Sequence, residues 1–218
     1  GNHDFGRFGY FAKKAFPGAS DEELLKRSQL AHAMLLTLRG SVCLYQGEEL
    51  GLPEADVPFE RLQDPYGLAF WPEFKGRDGC RTPMPWHAGE NGGFSDGEPW
   101  IGLGDNYREI NVEAALADPD SVFYTYQQLI TLRKTLPLLT WGDYEDLLPE
   151  HPSLWCYRRQ WQGQTLMVVA NLSREFQRWQ PTAAHGDWQM LMSNYVETAN
   201  RPADTILRPF EASWWLQS

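Results

Sequence analysis

Cysteine is scarce in this sequence: three residues in 218, Cys43, Cys80 and Cys156, far apart and odd in number. That count excludes a disulfide framework, the spacings do not match a zinc site, and the usage suits a reducing, cytoplasmic compartment. Positive charge is also short, with 19 Lys and Arg against 29 Asp and Glu and a formal net charge of −10. Such a surface repels a phosphate backbone, so nucleic acid is not an expected partner. No apolar run approaches the roughly 18 residues that a membrane helix needs, so no membrane partner is expected. No secretory signal opens the chain, and its first residues, Gly1-Asn2-His3-Asp4, read like the middle of a longer one. No motif calls for a cofactor or a metal.

Aromatic residues, by contrast, are plentiful: ten Trp, nine Tyr and eleven Phe. A chain this rich in large apolar side chains folds. Ser20-Asp21-Glu22-Glu23 is a capping box, and the apolar run behind it keeps a helical face as far as Leu36, with Gly40 closing the helix. Ser41 to Tyr45 then reads as a short buried strand with a polar end, Gln46-Gly47-Glu48-Glu49. Helix, turn and buried strand in succession predict part of a parallel α/β fold. From Gly47 to about Pro119 there is little periodicity, but the aromatic content predicts an ordered functional loop. Ser121 to Lys134 predicts a second amphipathic helix, stopped by Leu136-Pro137. Beyond it the texture turns β-like at Leu154–Trp161 and Leu166–Leu172, joined by a hairpin at Gln162-Gly163, and again near 188–192, 205–207 and 212–216. The expected organisation is an α/β portion over 1–136 and a small antiparallel β domain over 137–218.

Several groups of residues carry possible chemistry, and each has a structural alternative. His3-Asp4 at a strand end suits hydrogen bonding to adjacent sugar hydroxyls, but Asn-His-Asp is also a common self-bonded turn. Arg77, Asp78, Arg81 and Trp86 lie in one Gly- and Pro-punctuated loop. There arginine can fork hydroxyls or a carboxylate and tryptophan can stack on a sugar; for Arg77 and Asp78 an internally bonded loop anchor fits equally well. Glu48 and Glu49, as strand neighbours, would face opposite ways, so a structural role is the expectation for that pair. The Trp excess after residue 137 suits core packing before it suits a carbohydrate-binding face.

Taken in order, these segments resemble glycoside hydrolase family 13, the α-amylase superfamily, in its oligo-α-glucosidase branch. The residues that carry the resemblance are Gly1-Asn2-His3-Asp4 with Arg7, Leu44-Tyr45-Gln46-Gly47-Glu48-Glu49-Leu50-Gly51, the loop from Arg77 to Trp86, Asn106-Tyr107-Arg108-Glu109-Ile110-Asn111-Val112-Glu113, Ser121 to Arg133, and Arg208-Pro209-Phe210-Glu211-Ala212. Residues 1–96 are most similar to broad α-glucosidases of Gram-negative bacteria. From Gly97 onward the wording is closer to trehalose-6-phosphate hydrolases.

The resemblance implies the C-terminal portion of a (β/α)8 TIM barrel, including its helix 7, strand 8 at about Val42–Tyr45 and helix 8, followed by a small antiparallel β-sandwich-like domain. It implies retaining, exo-acting hydrolysis of α-glucosidic bonds in short oligosaccharides or disaccharides, with a trehalose-6-phosphate hydrolase as the alternative. Asp4 matches the family's third carboxylate, which stabilises the oxocarbenium-like state, with His3 beside it as a substrate ligand and Arg81 closing the pocket around the glucose. The nucleophilic Asp and the acid/base Glu are expected upstream of Gly1, so the implied partner is the N-terminal remainder of the barrel. A non-catalytic binding or interaction protein derived from the family is the reading of a different class.

Overall fold

The computed structural model describes residues 1–179, 187–195 and 205–217. Its helices are α1 (Phe8–Ala15), α2 (Asp21–Leu35), α3 (Pro65–Ala69), α4 (Val112–Ala117), α5 (Val122–Thr135) and α6 (Leu138–Trp141). Its strands are β1 (Asp143–Asp146), β2 (Leu154–Trp161), β3 (Gln164–Asn171), β4 (Gln177–Trp179), β5 (Gln189–Ser193), β6 (Thr205–Leu207) and β7 (Ala212–Gln217). The chain divides into two compact units, one of residues 1–28 with 43–126 and one of 29–42 with 127–218, so the division falls inside α2 and α5.

In the first unit, α2 starts where the capping box predicts, with the Glu23 amide donating to Ser20 Oγ at 3.2 Å. Between Gly47 and Asn111 the backbone is held by short 3-10 turns at Glu48–Leu50, Phe59–Arg61, Asp78–Cys80 and Glu90–Gly93 and by α3. Buried Leu50, Leu52, Leu62, Cys80, Ile101 and Val122 form its apolar interior. The strand predicted at Val42–Tyr45 does not form: Ser41 to Tyr45 carries no ladder among the described residues, and Cys43 and Leu44 are exposed. A strand exists only where a neighbour takes up its N–H and C=O groups, and every ladder among the described residues is antiparallel and lies after residue 142. The parallel α/β arrangement predicted for 1–136 is therefore absent among the described residues, which contribute only helices and turns there.

The second unit is built on a five-stranded antiparallel sheet in the order β1-β2-β3-β7-β5, with β4 and β6 forming a separate pair. β2 and β3 meet through Gln162 (φ 45°) and Gly163 (φ 82°), the two positive-φ positions of a two-residue hairpin, and Trp161 faces Gln164 across it. Leu154, Cys156, Met167, Val169 and Trp215 on one sheet face pack with Trp179 and Leu207 from the two-stranded pair, giving the sandwich-like core that the sequence predicts. Trp179, Trp214 and Trp215 are buried in the core, whereas Trp141 and Trp161 are exposed.

The opposite face of β2 presents Tyr157 and Arg159, both fully buried. Tyr157 shares a hydrogen bond with the Thr37 hydroxyl, and Arg159 donates to the Thr37 carbonyl at 2.6 Å. The residues after α2 turn back through three successive main-chain bonds, and Gly40 (φ 90°) ends that turn rather than the helix itself. Their carbonyls at Leu36, Leu38 and Gly40 accept from Arg133 of α5, which does the work of a C-terminal cap.

Candidate active site

The segment Asn2–Phe5 is a tight turn, with the Asn2 side-chain oxygen accepting from the amides of Asp4 (2.8 Å) and Phe5 (3.0 Å). The self-bonded reading is thus right for Asn2. It fails for Asp4, whose carboxylate is turned toward two guanidiniums of the 76–86 loop.

That loop is shaped by close backbone approach. Gly76 sits at φ 79°, and a Cβ there would meet Gly67 Cα at 2.9 Å and Asp64 Oδ2 at 3.0 Å. Only glycine fits such a position, and it brings Arg77 against Asp64. The Arg77 amide and Nε both donate to Asp64 Oδ2 at 2.8 Å, and Nη2 donates to Asp64 Oδ1 at 2.8 Å. Asp64 is buried and also caps α3 through the Tyr66 amide, one residue before Pro65 at the first helical position. Asp78, fully buried, accepts the amides of Gln63 (2.6 Å) and Asp64 (2.9 Å) through Oδ2. For Asp78 the loop-anchor reading holds.

Arg77 also reaches Asp4: Nη1 donates to Oδ1 at 2.9 Å. Arg81 donates from Nη2 to the same oxygen at 3.1 Å and from Nε to the His3 carbonyl at 2.8 Å. His3 Nε2 lies 3.3 Å from Asp4 Oδ2. The predicted residues His3, Asp4 and Arg81 are therefore brought together, with Arg77 and Asp64 added. Two carboxylates face two guanidiniums. The Arg77 hydrogen bond holds the Asp4 carboxyl below the usual range, with His3, Arg77 and Arg81 adding attraction of opposite charge. Asp64 is pushed much further down by Arg77, and Arg77 is driven correspondingly up.

Arg7 fastens this arrangement from below. Fully buried, it donates to the carbonyls of Gln46, Pro53, Gly79 and Cys80 and to Thr82 Oγ1. Burial lowers its pKa, and its ring contact with Tyr45 at 5.8 Å adds a cation–π component. Tyr45 and Gln46 in turn donate to the carbonyls of Cys80 and Thr82.

Glu48 and Glu49 stand in a 3-10 turn rather than at a strand end. Glu48 is buried and accepts the Phe8 amide, the structural role expected of it. Glu49 lines a cavity of about 520 Å³ beside Arg81, together with Gln46, Met84, Trp86, Phe94 and Trp100. Burial raises its pKa. An open aromatic-walled cavity edged by a carboxylate and a guanidinium can stack a sugar face and bind its hydroxyls.

Lys75, Arg77 and Arg81, the basic side chains of the 75–81 segment that could meet a phosphate, are already engaged. Arg77 and Arg81 hold carboxylates as described, and Lys75 Nζ lies 2.6 Å from Asp56. No cluster of His, Cys, Asp and Glu suited to a metal exists among the described residues, and none of their helices is long and apolar enough to cross a membrane. Sequence reasoning missed Asp64. Its signal is an Asp immediately before a Pro that opens a short helix, which marks a cap but gives no hint of the Arg77 contact 13 residues away.

Residues 1–142 match the family described as "Alpha amylase, catalytic domain". The trehalose-6-phosphate hydrolase of Escherichia coli (strain K12) is 49% identical over 92% of this chain. The oligo-1,6-glucosidase of Heyndrickxia coagulans is 38% identical over 81% of it. The chain spans 39% and 34% of the lengths of these two relatives. Among solved structures, the trehalose-6-phosphate hydrolase of Bacillus licheniformis superposes with a TM-score of 0.85 at 31% identity, covering 100% of this chain and 42% of that one.

Proposed function

Because the chain belongs to the alpha-amylase family, we propose that it is the C-terminal part of a retaining, exo-acting α-glucosidase, with Asp4 as a catalytic carboxylate that stabilises the transition state. The observation that carries this is the convergence of Arg77 and Arg81 on one oxygen of Asp4. Oδ1 is filled by two charged donors. Oδ2, with His3 at 3.3 Å as its one contact among the described residues, keeps acceptor capacity for a sugar hydroxyl. The bonded arginines keep the carboxylate ionised, so its negative charge is in place when positive charge develops on the sugar ring. His3 is proposed as a second ligand to the same hydroxyls and Arg81 as the wall between the glucose site and the aromatic cavity.

Retention requires a nucleophilic carboxylate and an acid/base carboxylate roughly 5–5.5 Å apart. We place both in the part of the family's length that this chain does not span. On the same reading residues 1–136 complete a (β/α)8 barrel, with Ser41–Tyr45 taking up its ladder only beside the remainder, and 137–218 form the C-terminal domain. The partners are then that remainder and a short α-glucoside. The unpaired state of Cys43, Cys80 and Cys156 supports a cytoplasmic location.

Trehalose 6-phosphate is the second reading of the substrate, favoured by the 49% identity to the Escherichia coli hydrolase against 38% to the oligo-1,6-glucosidase. Since Lys75, Arg77 and Arg81 already hold carboxylates, that reading assigns the phosphate to cations other than these three. Turnover of maltose, isomaltose and trehalose 6-phosphate by the complete enzyme decides between them. Hydrolysis of none of the three, by folded enzyme, removes the α-glucosidase reading.

A further inference from the structure

We infer that Arg77 and Asp64 are positioning residues for Asp4: buried Asp64 clamps the Arg77 fork, and Nη1 of that fork aims the Asp4 carboxylate. The inference rests on the proposed role of Asp4 and deepens it.

Asp4 lies on an exposed turn, 44% accessible at its side chain, where a carboxylate ordinarily samples several rotamers. Its own turn offers the carboxylate His3 Nε2 at 3.3 Å, from a side chain that is itself exposed, while Asn2 occupies the Asp4 and Phe5 amides. Orientation has to come from the opposite loop. Arg81 supplies one bond, but its second donor goes to the His3 carbonyl, so it follows any movement of the turn rather than opposing it.

Arg77 differs. Its Nε and Nη2 hold both oxygens of Asp64 side-on, its own amide holds Asp64 Oδ2, and Tyr66 lies against the guanidinium at 5.2 Å. Such a bidentate pair fixes the plane of the guanidinium. Asp64 is itself fixed, buried at 1% exposure with its backbone amide held by Asp78. The chain of contacts from Asp78 through Asp64 and Arg77 to Asp4 therefore ties an exposed carboxylate to a buried frame. The titratable and charged groups facing Asp4 are His3, Arg77 and Arg81, and the loss of Arg77's share raises the Asp4 pKa.

The test uses the complete enzyme with Arg77→Lys and Asp64→Asn, and with Asp4→Asn alongside. Rates are normalised to sites titrated with a mechanism-based inactivator, so that any misfolded fraction drops out. Lysine keeps the charge but cannot hold Asp64 and Asp4 together, whereas Asn at 64 leaves Arg77 intact but unclamped. Positioning predicts that kcat falls by about 10- to 100-fold in both variants with KM changed by less than about threefold. It also predicts that the acid limb of kcat/KM moves to higher pH. Either variant suffices if the other does not fold. Normal kcat per titrated site with an unmoved acid limb overturns the inference, because a purely structural pair would change only the yield of folded enzyme. If Asp4→Asn is itself fully active, the proposed role of Asp4 is what has failed.

Discussion

Arg159 is a guanidinium buried without a carboxylate, and its replacement measures how far main-chain carbonyls can stand in for a counter-ion. Its Nε donates to the Asp143 carbonyl at 3.1 Å, Nη1 to Thr37 at 2.6 Å, and Nη2 to Leu139 at 3.1 Å and Gly142 at 2.9 Å. Arg159→Met keeps most of the apolar stem and avoids a large cavity, so the change falls on these four bonds. Each buried carbonyl left without a donor costs about 1–3 kcal/mol. Relief of the buried guanidinium returns a few kcal/mol, and the net expectation is a loss of about 3–5 kcal/mol. Native-state hydrogen exchange in the complete enzyme reads this locally, through the β2–β3 ladder amides. Their opening free energy should fall by that amount, an acceleration of about a hundredfold or more. Arg159→Lys, which reaches fewer of the carbonyls, should fall between the two. Acceleration of less than about tenfold in Arg159→Met would refute the reasoning, since the carbonyls would then be finding other donors.

Gly76→Ala places a Cβ at φ 79° against Gly67 and Asp64. It should destabilise by about 1–3 kcal/mol and lower kcat as Arg77 shifts; unchanged melting and unchanged kcat together would contradict the close approach. Asp64 should also shape the acid limb of stability. Its folded pKa is depressed, so its contribution is complete above the unfolded value of about 3.9 and is lost as pH falls below it. Asp64→Asn should therefore flatten acid unfolding below about pH 4, and a curve that keeps the wild-type steepness there would show that the pair adds nothing.

Much of the second unit was legible because its determinants are local. The β2–β3 hairpin follows from two β-like runs around Gln162-Gly163, as in the first unit the α2 start follows from Ser20 and Glu23. β1 and β4 were not, as Asp143–Asp146 and Gln177–Trp179 are short and mostly polar and owe their state to the neighbours they pair with. The predicted strand at Val42–Tyr45 failed for the same reason, since apolar composition cannot supply a ladder partner. Tyr157 and Arg159 show a further limit: a sheet buried on both faces breaks the alternation that marks a half-exposed strand.

At the candidate site the sequence pointed to His3, Asp4 and Arg81 through a resemblance, and the structure brings them within hydrogen-bonding reach of one another. It could not point to the clamp. Asp4 and Arg77 are 73 residues apart, and nothing in the composition of either segment says that a glycine at 76 lets the second reach a buried Asp64. Arg7 was visible only as part of the family pattern, yet its five donations, reaching from Gln46 to Thr82, tie the two loops together.

The most direct test of the proposed function is kcat/KM for an α-glucoside with Asp4→Ala in the complete enzyme. The account predicts a fall of at least about a hundredfold with folding intact and a smaller fall for His3→Ala. A loss of less than tenfold in a folded Asp4→Ala enzyme would contradict it, leaving the Asp4–Arg77–Arg81 cluster as a structural ion pair.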